Sequence, residues 1–210
     1  MCGRPRIGIL AVQGAVAEHE RALRAAGADP ILVRDEAGLV GLDGLVIPGG
    51  ETTTLRRVAG DSGLIDALRE ARRRGLPILG TCAGLIALAD EIIDGDATLV
   101  GGLDISVRRN GYGRQLASFE TTLEIDGIGA GPMEAIFIRA PIIERVGVEV
   151  RVHATYQGHA VAVSDGSCMG LSFHPELTPD PRFHHWLVGC AQAYAKASAA
   201  QNKEGFGVRA

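Results

Sequence analysis

The sequence is poor in lysine and aromatic residues and has no long apolar run. Its only lysines are Lys196 and Lys203, and aromatic residues make up 4% of the 210 positions. No run approaches the roughly 20 apolar residues that cross a bilayer, and the N-terminus lacks the apolar region of a signal peptide. A net charge of −4 is atypical of a nucleic-acid binder. We therefore expect a cytoplasmic protein that binds neither membrane nor nucleic acid.

Cysteine pairs and nucleotide-binding loops are also missing. The four cysteines, Cys2, Cys82, Cys168 and Cys190, show neither a CxxC pair nor the spacing of metal ligands. There is no GxxxxGK[ST] loop, and Gly127-Ile128-Gly129-Ala130-Gly131 lacks the spacing of a dinucleotide fingerprint. We therefore expect reduced thiols, no metal and no cofactor, which leaves Cys82 free to react.

The first hundred residues alternate short aliphatic runs with helical segments, a pattern that predicts a parallel α/β sheet. The predicted strands are Ile7–Val12, Pro30–Val33, Gly44–Ile47 and Pro77–Thr81. The predicted helices run from about Ala15 to Ala26 and over Asp61–Arg74, with a further helix starting in Leu85–Ala89. The expected fold is a three-layer, open, mainly parallel sheet with helices on both faces.

After about Leu99 the long helices disappear, which indicates antiparallel strands added to the parallel core. Gln157-Gly158 is typical of a hairpin turn. The predicted strands are Ile105–Arg108, Phe119–Ile125, Ala135–Ile138, Glu149–Tyr156, His159–Ser164 and, returning to the core, Leu171–Phe173. A helix over Pro181–Ala199 closes the chain. Without repeats or linkers, we expect one domain over residues 1–200 and a frayed tail over 201–210.

Cys82 lies in Gly80-Thr81-Cys82-Ala83-Gly84, between a predicted strand and a predicted helix. Glycines tolerate the tight turn that displays a nucleophile, and a helix N-terminus favours thiolate over thiol. The alternative is a thiol that only fills core space, as most buried cysteines do. The flanking glycines favour a turn, and ligands of open α/β sheets bind beyond the carboxyl ends of strands.

His174-Pro175-Glu176 directly follows the last predicted strand. Proline restricts the backbone here and places two polar side chains at a second strand end. Histidine suits proton transfer to and from a thiol, and Glu176 suits orientation of the imidazole. The alternative is an ordinary His-Pro surface turn. His19, His153, His159, His184 and His185 have no comparable context and are interpreted as ordinary polar residues.

Pro48-Gly49-Gly50-Glu51 follows the strand predicted at Gly44–Ile47. Adjacent glycines let a backbone approach a ligand and direct N–H groups at an oxyanion. A tight turn capped by a threonine explains the same residues equally well. This loop is therefore a third candidate part of an acyl-transfer site.

Taken together, these motifs resemble class I, triad-type glutamine amidotransferases, and within them the glutaminase subunit of pyridoxal 5′-phosphate synthase. The resemblance covers nearly the whole chain from Arg6 to the last helix. Thr52 departs from the usual serine but keeps its hydroxyl. The matching segments outside the cysteine motif are Leu10–Ala15, Pro48–Thr54, Val107–Asn110, Ser118–Glu120, Phe137–Pro141 and Ser172–Thr178.

The resemblance implies hydrolysis of L-glutamine to glutamate and ammonia, with the ammonia passed to a separate synthase subunit that makes pyridoxal phosphate. It implies that Cys82 is the nucleophile, His174 the acid and base, and Glu176 the orienting carboxylate. The backbones of Gly50 and Ala83 would bind the oxyanion. The glutamine site would be formed by Gly49, Gly50, Glu51, Arg109, Ile138 and Arg139.

Two other interpretations of the resemblance stay open. In the first, the glutaminase serves a different ammonia acceptor, and the Gln13-Gly14 and Arg108-Arg109-Asn110 segments argue against it. A catalytically silent regulatory subunit is disfavoured because the whole triad is present. For Arg109 and Arg139 the simplest alternative is a solvated surface arginine. We also expect Gln13 and Gly14, which follow the first strand, to face the synthase partner.

Overall fold

The computed structural model describes residues 3–60, 63–94, 97–109 and 118–206. Its helices are α1 (Val16–Ala25), α2 (Thr52–Gly60), α3 (Leu64–Arg73), α4 (Ala83–Leu88) and α5 (Arg182–Phe206). Its strands are β1 (Arg6–Leu10), β2 (Asp29–Val33), β3 (Gly44–Ile47), β4 (Ile78–Thr81), β5 (Ala89–Ile92), β6 (Leu103–Arg108), β7 (Ser118–Leu123), β8 (Met133–Ile138), β9 (Ile142–Val146), β10 (Arg151–Tyr156), β11 (His159–Asp165) and β12 (Cys168–Leu171). Within the described ranges, no helix is both long and apolar enough to cross a bilayer.

One large sheet organises the molecule in the order β2-β1-β3-β4-β12-β11-β9-β6-β5. The five strands from β2 to β12 are parallel. Strands β11, β9 and β6 continue the sheet with antiparallel pairings, and β10 pairs with β11. Strands β7 and β8 form a separate antiparallel pair. This topology confirms the predicted mainly parallel sheet with added antiparallel strands.

Helices cover both faces of the sheet because the buried strands are apolar on both sides. On β3, Leu45 and Ile47 belong to a core cluster that includes residues of α2, α3 and α4. Val46, between them, belongs to a second cluster with residues of α1 and α5. The β7–β8 pair adds Met133 and Phe137 to that second cluster. The predicted arrangement of helices on both faces is therefore confirmed.

The turn predicted at Gln157-Gly158 connects β10 to β11, which pair from Tyr156 and His159 outward. Both turn residues have positive φ, 49° at Gln157 and 83° at Gly158. Two consecutive positive φ angles define the hairpin turn whose twist matches that of the flanking strands. This prediction is also confirmed.

The sequence missed two strands, β5 and β9, and misplaced the ends of others. Helix α4 ends at Leu88 because Ala89 is already extended, at φ −63° and ψ 142°, so Ala89 starts a strand instead of continuing the helix. In β9 the apolar pair Ile142-Ile143 is followed by Glu144 and Arg145, which interrupts the aliphatic pattern. Both form ion pairs with residues of the neighbouring β6. Glu144 pairs with Arg108 at 2.7 Å, and Arg145 pairs with Asp104 at 2.6 Å.

The last predicted strand and helix differ from the observed ones. Strand β12 starts at Cys168 and ends at Leu171, so Phe173 lies beyond it instead of inside it. Helix α5 runs through Phe206, past the predicted end at Ala199, so the backbone of residues 201–206 is helical. Residues 207–210 of the predicted frayed tail lie outside the described residues, as does Asp61 of the predicted second helix.

Candidate active site

Cys82 occupies a strained turn between β4 and α4. Its backbone has φ 50° and ψ −102°, a region that residues other than glycine rarely adopt. Its N–H donates to the carbonyl of Leu171 on the neighbouring β12 at 2.8 Å, which holds the turn against the sheet. A Cβ on Gly84 would lie 1.9 Å from the carbonyl oxygen of Ile47, so only glycine lets α4 pack this closely. The sequence therefore displays Cys82 at the carboxyl edge of the sheet.

His174 and Glu176 reach the same edge from β12, which pairs in parallel with β4 so that Leu171 is opposite Thr81. The N–H of His174 donates to Ile136 on β8 at 2.9 Å. Pro175 then begins a short 3-10 turn that carries Glu176. His174 Nδ1–H donates to Glu176 Oε1 at 2.8 Å, so the carboxylate fixes the orientation of the imidazole.

Cys82 and His174 lie on either side of Gly49. A Cβ on Gly49 would lie 2.4 Å from His174 Cε1 and 3.2 Å from Cys82 Cβ, so the position admits only glycine. The thiol of Cys82 donates to the carbonyl of Ile138 at 3.6 Å. Within the described ranges, the buried Nε2 of His174 has no hydrogen-bond partner. That nitrogen is thus available for proton transfer in the space beside the thiol.

The site favours ionised forms of both His174 and Glu176. Burial lowers the pKa of His174, but the neighbouring Cys82 and Glu176 outweigh it and raise that pKa to about 10. Burial likewise opposes ionisation of Glu176, but His19 and His174 hold the pKa of this carboxyl well below its usual range. A cationic imidazole beside a thiol stabilises the thiolate, which is the nucleophilic form.

A cavity of about 280 Å³ opens in front of these residues. Arg139 Nη2 lies 3.6 Å from Glu51 Oε1. Arg109 is restrained by Asp94, whose carboxylate accepts from the Arg109 backbone at 2.8 Å and lies 3.6 Å from its side chain. The predicted site residues that line the cavity are Gly50, Glu51, Cys82, Ala83, Arg109, Ile138, Arg139 and His174. Gly49 and Glu176 are not among these lining residues, but Gly49 lies against Cys82 and His174, and Glu176 is hydrogen-bonded to His174.

Gln13 and Gly14, predicted to face a partner, lie against the glycine loop of the site. Gln13 Oε1 accepts from the N–H of Glu51 at 2.6 Å. A Cβ on Gly14 would lie 1.7 Å from the carbonyl oxygen of Gly49. Gly14 is exposed and has a φ of 90°, which suits glycine. These two residues thus connect the molecular surface to the backbone beside Cys82.

Comparison with known proteins places this fold and site in a family. The family model described as the SNO glutamine amidotransferase family matches residues 9–192, which is most of the chain. The chain belongs to the SNO glutamine amidotransferase family. Its resemblance to class I glutamine amidotransferases is therefore confirmed.

Individual members of this amidotransferase family are similar over nearly their full length. Two curated proteins named pyridoxal 5′-phosphate synthase subunit PdxT are 50% identical over 186 residues in Frankia alni and 52% identical over 186 residues in Parafrankia sp.. The alignments cover 88% of this chain and 94% and 92% of those proteins. A solved glutamine amidotransferase structure, 41% identical, matches with a TM-score of 0.83 over 89% of this chain and 98% of the other.

Several residues of this candidate site were missed from the sequence. Ile86 lines the cavity together with Thr52 and Thr53. Its spacing of four residues from Cys82 puts it on the same helix face, a signal the sequence did contain. His19 and His184, interpreted as ordinary polar residues, are fully buried behind the site. Asn110, part of a matching segment, lies outside the described residues.

Proposed function

We propose that this chain hydrolyses L-glutamine through Cys82, His174 and Glu176, by way of a γ-glutamyl thioester. The observation that carries the proposal is that these three side chains meet at the carboxyl ends of β4 and β12, beside a cavity of about 280 Å³. Family membership and the similar PdxT proteins support the broader conclusion that the chain is the glutaminase subunit of a pyridoxal 5′-phosphate synthase.

The first half-reaction follows from the chemistry of the three side chains. The Cys82 thiolate attacks the side-chain amide carbon of glutamine and forms a tetrahedral oxyanion. Backbone N–H groups of Gly50 and Ala83, which line the cavity, would stabilise that oxyanion. The imidazolium of His174 then donates its Nε2 proton to the leaving nitrogen, so ammonia departs and the γ-glutamyl thioester remains.

The second half-reaction regenerates the Cys82 thiolate and the His174 imidazolium. The neutral imidazole of His174 accepts a proton from a water molecule, whose oxygen attacks the thioester carbon. Collapse of this second tetrahedral species breaks the carbon–sulfur bond and expels the Cys82 thiolate. The new γ-carboxylic acid loses its remaining proton to solvent and leaves as glutamate. Glu176 stabilises the imidazolium that each half-reaction requires.

Charged groups at the cavity account for selection of an amino acid. Guanidinium groups bind carboxylates with paired hydrogen bonds, so Arg109 and Arg139 suit the α-carboxylate of glutamine. Glu51 suits its α-ammonium group. Asp94 restrains Arg109, which lowers the entropy lost when substrate binds.

We further propose that the ammonia passes to a separate synthase subunit, in the cytoplasm, and that residues 1–200 form one glutaminase domain. Gln13 and Gly14 are the proposed contact, because they connect the surface to the loop beside Cys82. Reversing the charge of the nearby Glu18, which follows them on α1, tests this surface. Glu18→Lys should weaken complex formation in sedimentation, and an unchanged complex would contradict the proposed contact.

The decisive test measures ammonia released from glutamine by the purified chain, with and without the synthase subunit. We expect release that increases when the synthase subunit is added. Release of ammonia without any stimulation would contradict the role as a synthase subunit. No release in the presence of that subunit would contradict glutamine hydrolysis itself.

A further inference from the structure

A row of buried polar side chains continues behind Glu176, and the proposed mechanism does not use it. His19 on α1, Thr81 at the end of β4 and His184 on α5 are all fully buried. His19 Nε2 lies 3.5 Å from Glu176 Oε2 and 3.3 Å from Thr81 Oγ1. On its other side, His19 Nδ1 lies 3.1 Å from His184 Nε2. His19 thus joins three elements of the fold to the carboxylate behind His174.

The groups around His19 favour a proton on one of its two ring nitrogens. Burial and the nearby His19 lower the pKa of His184 to about 3, so His184 is neutral. A neutral His184 either donates to His19 Nδ1 or accepts from it. If His19 carried its only proton on Nδ1, its Nε2 lone pair would face the carboxylate of Glu176, which is repulsive. The carboxylate of Glu176 therefore favours the form of His19 whose Nε2–H points toward Glu176 and Thr81.

Glu176 needs this donor because its side chain is completely buried. His174 satisfies Oε1, but among the described residues nothing forms a full hydrogen bond to Oε2. A buried carboxylate oxygen without a donor is costly, and a carboxylate held on one side only can rotate away from its partner. Among the described residues, the imidazole of His19 is the group that lies at ion-pair distance from Oε2.

His19 also reaches the backbone of the glycine loop through Thr81. Thr81 Oγ1 accepts from the N–H of Gly49 at 3.0 Å, and the same oxygen faces His19 Nε2. Gly49 in turn lies against the imidazole of His174 and the Cβ of Cys82. One imidazole nitrogen therefore faces both the carboxylate that orients His174 and the hydroxyl that holds the loop beside it.

We propose that His19 is a positioning residue, whose Nε2–H holds Glu176 and Thr81 so that His174 is aligned with Cys82. The inference rests on the proposed glutaminase function. His19 makes no contact with the cavity and acts only through Glu176 and Thr81. In this role the imidazole supplies one hydrogen-bond donor at the position of Nε2. Substitutions can therefore distinguish the loss of this donor from the loss of side-chain volume in the core.

Two substitutions at His19 distinguish loss of the hydrogen-bond donor from loss of side-chain volume. In His19→Gln the side-chain amide nitrogen reaches the position of Nε2 and can donate to Glu176. In His19→Asn the shorter amide reaches only the position of Nδ1, so the bond toward His184 is kept and the donor to Glu176 is lost. His159→Asn, in the β10–β11 hairpin, is the matched control. All are assayed for ammonia release in complex with the synthase subunit.

We expect His19→Asn to lower kcat by roughly 10- to 100-fold with KM for glutamine within about twofold, as losing a supporting hydrogen bond typically does. His19→Gln should keep most of the activity, and His159→Asn should match the unmodified chain. In the Glu176→Ala background, His19→Asn should cause no further loss, because both act on the same alignment. Equal losses in Asn and Gln, or additive losses with Glu176→Ala, would overturn the proposal.

A measurement on the unmodified chain guards against variants that fail to fold. With ¹⁵N-labelled histidine, NMR should show His19 protonated at Nε2, and Glu176→Gln should shift that signal. A proton only on Nδ1 would overturn the proposal regardless of any variant. If the unmodified complex releases no ammonia, the proposed function fails, and the NMR result together with the alkylation rate of Cys82 in both variants still decides the role of His19.

Discussion

Cys82 and Cys168 are two buried thiols on the same pair of neighbouring strands, at opposite ends. Cys168 begins β12 opposite Ile78, at the amino end of β4, whereas Cys82 follows the carboxyl end of β4. Their exposed fractions are similar, 0% for Cys168 and 7% for Cys82. Burial raises the pKa of Cys168 to about 11, although Arg72 opposes the shift. What distinguishes Cys82 is therefore its strand end, where a turn, a cavity and His174 converge.

The strongest test of this comparison removes each thiol in turn. Cys82→Ala should lower ammonia release from glutamine in the synthase complex by at least roughly 1,000-fold, since the proposed nucleophile is lost. Cys168→Ala should keep activity within about twofold because its thiol only fills the core. Circular dichroism provides the control for folding. Comparable losses of ammonia release in both variants would show that the two thiols do not differ in function.

Chemical labelling tests the same contrast without glutamine. At pH 7 a thiol with a pKa of about 11 is ionised to roughly one part in 10,000, so Cys168 should resist iodoacetamide. Cys82 should react at least about 100-fold faster, as followed by mass spectrometry of the two peptides. His174→Asn should slow the labelling of Cys82 at pH 7, because the cationic neighbour is gone. Labelling of Cys82 that is insensitive to His174 would contradict the pairing.

The tight turn at Cys82 makes the stability of the chain sensitive to an added side chain at Gly84. Gly84→Ala should lower the free energy of unfolding by about 3 kcal/mol and reduce ammonia release, because its Cβ meets the Ile47 carbonyl. Gly189→Ala is the matched control on α5, where a Cβ meets nothing within 4 Å. It should raise the unfolding free energy by about 0.5–1 kcal/mol. Urea titration measures both, and a neutral Gly84→Ala would contradict the close approach.

A pH dependence of stability tests the pairing of His174 with Glu176. The pKa of His174 rises from 6.5 to about 10 on folding, so its bound proton stabilises the folded chain. That contribution is fully present below pH 6.5 and is lost as the pH rises toward 10. The urea midpoint of the unmodified chain should therefore fall more between pH 6 and pH 10 than that of His174→Asn. Parallel curves would argue against the ion pair with Glu176.

The contrast between the two cysteines also shows what sequence patterns can predict. Glycines around Cys82, and the proline after His174, constrain the local backbone strongly, so both turns were predictable at the right strand ends. Strand β9 was missed because its exposed charges pair with residues on β6, which only the folded sheet brings close. The position of this strand therefore depends on tertiary contacts that the local sequence pattern does not contain.

The buried polar residues behind the proposed triad were likewise not predictable from the sequence. His19 and Leu23 are spaced four residues apart on α1, so the sequence did place His19 on the buried helix face. Its partners, Thr81, Glu176 and His184, come from distant parts of the chain. No spacing rule links them, because their contacts exist only once α1 and α5 pack on one face of the sheet.

The parallel pairing of β4 with β12 has a consequence for the order of events during synthesis. Cys82 precedes β12 by a long segment of the chain, and the proposed base, His174, follows β12 closely. Parallel pairs between distant segments form slowly because a long loop must close first. A chain still emerging from the ribosome therefore carries the proposed nucleophile before the proposed base. On the proposed mechanism, hydrolysis is withheld until β12 has been synthesised and paired with β4.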